Sequence, residues 1–364
     1  MTFLKIAVAI AALILVFVTL RSAVRNFVLP RGVHDTISST TFLVLRWFID
    51  RLRSLTRDEA KREQWLAFYA PIGLLALLVV WLALIFTAFM ALFWATGIGD
   101  IYSAFVLSGS SLLTLGFMSD NTFLHMLMSF VEAAIGLILV ALLIAYLPTI
   151  YSAFSIREAA VTLLDVRAGT PPSVVEMLIR MHRIGRMAEL RTLWRDWELL
   201  FCQMTESHLS LPAVIYFRSP NPAHHWLTAS GTVMDAAAFV RSTLDIPPDP
   251  QADLCIRAGY LLLQRIGGFL GISLQTNPHF PSTGISITRE DYDDACVQLQ
   301  AAGVPLKADL DAAWLDFAGW RVNYDQALIS LCSLLTTPVA PWTSDRAPLQ
   351  RLDSGSVDGI RRRR

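Results

Sequence analysis

An all-α membrane protein is the fold class this chain predicts, and three observations predict it. Hydrophobic residues make up 54% of 364 and charged residues 16%, with a mean hydropathy of +0.49, too apolar for an ordinary soluble protein. The apolar excess lies in about the first 155 residues, as three runs each long enough to cross a bilayer. Beyond them the apolar residues recur at helical spacing, without βαβ alternation. The formal net charge is zero, so composition points to no nucleic-acid partner. Cys202, Cys255, Cys296 and Cys332 form no CxxC pair and no Cys/His group. A reduced compartment fits them, with neither a zinc site nor a disulfide framework.

Residues 3–20 are apolar except for Lys5 and Thr19 and make about 27 Å of helix, so 1–20 is expected to be an N-terminal transmembrane helix. The rival reading is a cleaved signal peptide. Against it, residues 21–62 carry nine basic residues and four acidic ones, which places the segment 21–65 in the cytoplasm and the N-terminus outside. Within that segment, 41–55 sets Phe42, Leu45, Trp47 and Phe48 among Arg46, Arg51 and Arg53. This predicts an amphipathic helix, lying on the inner leaflet or packed on the C-terminal region.

Residues 66–95 form the second run, interrupted only by Pro71, Gly73 and Thr87. Gly97 and Gly99 close it, and Asp100 is placed to cap a short helix over 100–112. The stretch 96–121 holds no Lys or Arg, as an external face should. The third run, 122–154, contains Glu132, Gly136 and Pro148, and Arg157 marks a return to the cytoplasm. Residues 157–337 then read as an all-helical cytoplasmic domain with helices over 174–209, 223–244, 252–272, 289–301 and 308–336, separated by Pro- and Gly-rich breakers. The tail 338–364, ending in four arginines, is expected to be disordered.

Residues 108–120, rich in Ser and Gly, sit between two spans and are too short and polar to cross by themselves. Irregular backbone at membrane depth is tolerated only where it is buried in protein or faces water, so a re-entrant loop is expected. Within it, Thr114-Leu115-Gly116-Phe117 resembles the Thr-Val-Gly-Tyr filter core of the potassium-channel superfamily. Residues 66–154 resemble that superfamily's pair of spans around a pore loop, about a quarter of the chain. Downstream, 146–158 and 163–172 resemble bacterial two-span channel-like proteins with a helical cytoplasmic region. The resemblance implies a pore module over 66–156, with outer helix 66–95, pore helix 100–112, filter 114–118 and inner helix 122–154. It further implies a homotetramer, a permeant monovalent cation (potassium, with sodium open) and no cofactor or metal. Its membrane would be the bacterial inner membrane, with lipid as the surrounding partner.

In that frame Thr114 supplies a hydroxyl and a carbonyl at the inner end of the filter, and Leu115, Gly116 and Phe117 supply carbonyls above it. The chain departs from the superfamily pattern at Met118, which stands where a second glycine is usual and is expected to be strained by a positive φ. Phe117 also lacks the usual tyrosine hydroxyl. Gly136, 19 residues past Phe117, is near the superfamily's gating hinge; the alternative is a small residue for close helix packing. Glu132 is an intramembrane acid that either lines the pore or hydrogen-bonds the back of the pore helix. The expected function is a tetrameric cation channel gated through the helical domain. The alternative is a non-conducting membrane sensor or scaffold with a degenerate filter. No spaced set of acid, base and nucleophile suggests an enzyme.

Other polar groupings have plainer readings. His224-His225 lacks a third ligand in sequence and fits a surface or cap role better than a metal. Gly267, Gly268 and Gly271 follow no strand and precede no lysine, unlike a phosphate loop. Glu290, Asp291, Asp293 and Asp294 fit the first turn of a helix after Thr288. Trp194 and Trp197 fall at helical spacing and are expected in a core.

Overall fold

A computed structural model describes residues 2–27, 35–55, 59–219 and 221–347. The described residues are predominantly helical and hold no strand, only an isolated antiparallel bridge between Leu244 and Leu306. Among the described residues three helices are long and apolar enough to cross a membrane: Phe3–Phe27, Trp65–Thr96 and Phe123–Ala168. The chain divides into two compact units, the first comprising Met1–Phe154 with His208–Arg218 and the second Ser155–Ser207 with Ser219–Arg364.

In the first unit, α1 (Thr2–Phe27) runs seven residues past the end expected at Leu20. The extension is held by packing: Ser22 and Ala23 are buried, and the Trp81 indole N–H donates to Ser22 Oγ at 2.9 Å. Ser22 Oγ in turn donates to Asp35 Oδ2 at 2.6 Å, and the same carboxylate accepts the Ser38 N–H at 3.0 Å, closing the first turn of α2 (Thr36–Leu55). α2 lies along α3 (Glu59–Thr96). Phe42 fills the space beside Gly73, where an added Cβ would come within 2.3 Å of its ring, so only glycine admits this approach. Pro71 lies inside α3, six residues before Leu77, where the buried α1–α3 interface begins.

α4 (Ile101–Leu112) starts as the sequence predicts, with Asp100 accepting the Ser103 N–H at 3.0 Å. α5 (Phe123–Ala168) is one helix of 46 residues and does not stop at 154. Pro148 removes a single amide donor without breaking it, and the arginine at 157 sits inside the helix. Its end comes at Gly169, whose φ of +78° suits glycine. The short 3-10 turn Pro212–Tyr216 completes this unit, placing Val214 and Phe217 in an apolar cluster with Leu74, Leu143 and Ile150.

The second unit is built around α8 (Trp226–Thr243), in which every residue except Arg241 is buried. A helix apolar or small on all sides belongs at a centre, and α6 (Val174–Arg183), α9 (Pro250–Phe269) and α11 (Leu310–Leu334) pack on it. The helix expected over 174–209 is two helices: Gly185, at φ +69°, ends α6, and a 3-10 turn at Met187–Glu189 leads into α7 (Leu190–Ser210). Trp194 and Trp197 are core residues. α10 (Arg289–Ala301) opens with a capping box between Thr288 and Asp291, which accounts for the acidic first turn.

Buried against α8 is an ion-pair network. The Arg321 guanidinium donates to both oxygens of Asp235, to Asp325 Oδ1 at 2.8 Å and to the Trp342 carbonyl at 2.9 Å. Tyr324 Oη adds a hydrogen bond to Asp235 at 2.8 Å. Burial pushes the Asp235 carboxyl above the usual range, while the two carboxylates outweigh burial at Arg321 and keep it protonated. The tail does not begin at 338: Trp342 packs its ring, tilted, against Phe239 and Phe317, and Arg346 pairs with Asp291 at 2.7 Å. Residues 348–364, with the terminal arginines, lie outside the described residues, as do 28–34 and 56–58 of the basic segment.

Candidate functional site

The loop after α4 is closed by a helix-capping pattern. Leu115 N–H donates to the Ser110 carbonyl at 2.8 Å and Thr114 N–H to that of Ser111 at 3.0 Å, the paired bonds of a Schellman motif. That motif requires a left-handed residue between them, and Thr114 takes it with φ +54°; Gly116 follows at φ +69°. The strained non-glycine position is therefore Thr114. Met118, expected to bear that strain, is not among the positive-φ residues. A Cβ at Gly116 would meet no heavy atom within 4 Å, so its requirement for glycine is conformational, not steric.

Ser110 holds the far side of the loop as well. Its hydroxyl accepts the Met118 N–H at 3.1 Å and donates to the Met118 carbonyl at 3.3 Å. One residue of α4 thus anchors both limbs of 114–118. Ser108, Ser110 and Ser111 belong to α4 and are buried, so they face into the chain and do not line a loop. Leu115 and Phe117 project outward, 59% and 66% exposed. Among the described residues, no hydrogen bond reaches the carbonyl oxygens of Thr114, Leu115, Gly116 or Phe117. Chemically the loop is a row of unpaired oxygen acceptors with an apolar flank.

Glu132 and Gly136 both meet the back of α4. Glu132 is fully buried, and its Oε1 accepts from Ser108 Oγ at 2.5 Å. One turn on, a Cβ at Gly136 would fall 2.7 Å from the Leu112 carbonyl, so this glycine allows α5 to touch the last residue of α4. Within this chain Glu132 hydrogen-bonds the back of α4 and Gly136 admits its close approach, so both position the helix that precedes the loop.

The sequence reading did not single out His125. It is buried between Asp120 Oδ2, 2.5 Å from Nδ1, and Thr96 Oγ1, 3.0 Å from Nε2. The carboxylate accepts only, which assigns a proton to Nδ1. The hydrogen bond from His125 holds the Asp120 carboxyl below the usual range, helped by the Thr122 N–H. This chain fastens the outer end of the loop to the ends of α3 and α5. Asp120 and His125 are five residues apart, a spacing with no standing meaning, and only the fold brings Thr96 to them.

In the second unit, His224 Nε2 lies 2.6 Å from Asp165 Oδ2 near the end of α5 and 2.8 Å from Asn221 Nδ2, and His225 Nδ1 accepts the Leu227 N–H at 3.2 Å as the cap of α8. His224 thus contacts the Asp165 carboxylate and His225 caps a helix. No cluster of three His, Cys, Asp or Glu side chains that could hold a metal occurs among the described residues. Burial pushes the thiol of Cys296 up to about 11 and that of Cys332 up to about 12, which removes them as nucleophiles. The chain matches no protein-family profile, no curated protein and no solved structure.

Proposed function

We propose that the chain is one subunit of a homotetrameric cation channel of the bacterial inner membrane, related to potassium channels. Four copies of the loop 114–118 would ring a pore, with potassium the expected ion and sodium open. The N-terminus would lie outside and the second unit in the cytoplasm, where it would act on the pore through α5. The observation that carries this reading is the set of four consecutive carbonyls, 114–117, free of intrachain donors in a loop between two apolar helices of spanning length. Such oxygens replace an ion's water shell only if several copies converge, which is why the tetramer is part of the proposal. No catalytic role is assigned.

One observation favours a second reading, a non-conducting sensor or scaffold. The loop is closed as a helix cap on Ser110, and Met118 stands where a filter would place a second glycine. Flux through purified protein in liposomes separates the two. Under a potassium gradient, wild type should conduct and Gly116→Val should abolish conduction, because a β-branched residue cannot hold φ +69°. Flux unaffected by this substitution would remove conduction from the loop. No flux from wild type or from Met118→Gly, with both still tetrameric, would select the scaffold.

A further inference from the structure

Between α2 and α3 runs an open groove of about 600 Å³, walled by Ile37, Val44, Trp47 and Phe48 on one side and Ala76 and Val80 on the other. Val44, Trp47 and Phe48 are each more than half exposed, so among the described residues nothing fills it.

The directions of the two helices are set by named contacts. Asp35, at the start of α2, is tied through Ser22 to Trp81, while Phe42 packs on Gly73 and its carbonyl accepts from Tyr69 Oη at 3.3 Å. α2 therefore runs antiparallel to α3, from the level of Trp81 toward that of Tyr69. At the Tyr69 end the apolar wall gives way to charge. α2 carries Arg46, Arg51 and Arg53 against a single acid, Asp50, which lies 3.8 Å from Arg46. Arg51 is exposed.

An apolar slot lying along a spanning helix, with cations at the end nearer the span's terminus, complements an amphiphile with an anionic head. A protein helix, about 10 Å or more across, would have to bring a carboxylate to the same place. Lipid supplies chain and anion together. We infer that the α2–α3 groove is a binding site for an acyl chain of an anionic phospholipid, with the headgroup at Arg51, which follows Val44 and Phe48 on the same helix face, and the tail toward Val80. The inference rests on α3 crossing a membrane and not on conduction, so its failure would leave the flux result untouched.

The test uses the full-length protein in detergent, stripped of lipid and titrated with phosphatidylglycerol or phosphatidylcholine, with bound lipid per subunit read by native mass spectrometry. Phosphatidylglycerol should bind wild type more tightly than phosphatidylcholine. Val44→Trp, which fills the slot, should lose both lipids. Arg51→Gln, at an exposed site that cannot threaten folding, should weaken phosphatidylglycerol by about fivefold, the effect of one basic residue near an anionic surface, and leave phosphatidylcholine unchanged. Equal binding of the two lipids by wild type, or undiminished binding by folded Val44→Trp, would overturn the site. So would a cross-link from Val44→Cys to Ala76→Cys of a second copy in lipid-free protein, which would place another subunit in the slot.

Discussion

Each unit buries a carboxylate completely, and the two are treated in opposite ways. Asp235 in the second unit meets the Arg321 guanidinium, a cation it shares with Asp325, and accepts a hydrogen bond from Tyr324. Glu132 in the first has one neutral hydroxyl, Ser108, and its second oxygen has no partner among the described residues. The surroundings differ in the same sense. The first unit turns Phe123, Phe130 and Leu137 outward, whereas the second turns its aromatic residues onto α8. Burying an ionised carboxylate is costly unless a cation meets it, as Arg321 meets Asp235. In apolar surroundings, a single hydroxyl on a neighbouring helix is enough to define an interface.

The contrast can be broken most sharply at Arg321. Arg321→Ala leaves Asp235 buried without its cation and should destabilise the second unit by about 3–5 kcal/mol, read as a fall in the thermal unfolding midpoint. Replacing both residues by apolar ones of similar volume should recover most of that loss. A cost below about 1 kcal/mol for the single change would mean that Asp235 holds its own proton, and the two acids would then be alike.

At Glu132 the expected effects are smaller. Glu132→Gln keeps the acceptor for Ser108 and should be close to silent in stability, while Glu132→Ala should cost about 1–2 kcal/mol in the same assay. The cost is limited because Ser108 Oγ has a second acceptor, the Phe86 carbonyl at 3.1 Å. A loss from Glu132→Gln as large as from Glu132→Ala would show that the charge, and not the hydrogen bond, matters there.

The smallest effect is at Asp120, an acid at the surface. Its folded value is depressed by His125, so the carboxylate form is the one that folding favours. The stability it contributes is present above the ordinary carboxylate value of about 3.9 and is lost as pH falls below that, through the depressed value. Asp120→Asn should reduce this acid limb of the stability profile, which Asp35, Asp100 and Asp291 share, and an unchanged limb would assign it wholly to those carboxylates.

The features legible in the sequence are those written over neighbouring residues. Three apolar runs, the cap at Asp100 and the capping box at Thr288 need only a few adjacent side chains to be recognised. The end of α5 was not legible, because Pro148 and Arg157 are ordinary stop signals and the helix continues through both. Conversely, apolar spacing ran unbroken through Gly185, where a single left-handed residue divides α6 from α7. The site was readable as a motif, Thr114 to Phe117, but not as a geometry. Which residue is strained, Thr114 in place of Met118, depends on the cap made with Ser110. The Thr96 partner of His125 and the Ser108 partner of Glu132 lie 29 and 24 residues away in other helices.

Ser110 has one further consequence. Its carbonyl holds Leu115 at the start of the loop, and its hydroxyl holds Met118 at the end. Both limbs of the loop therefore hang on the last turn of α4, and any shift of that turn displaces Leu115 and Met118 together.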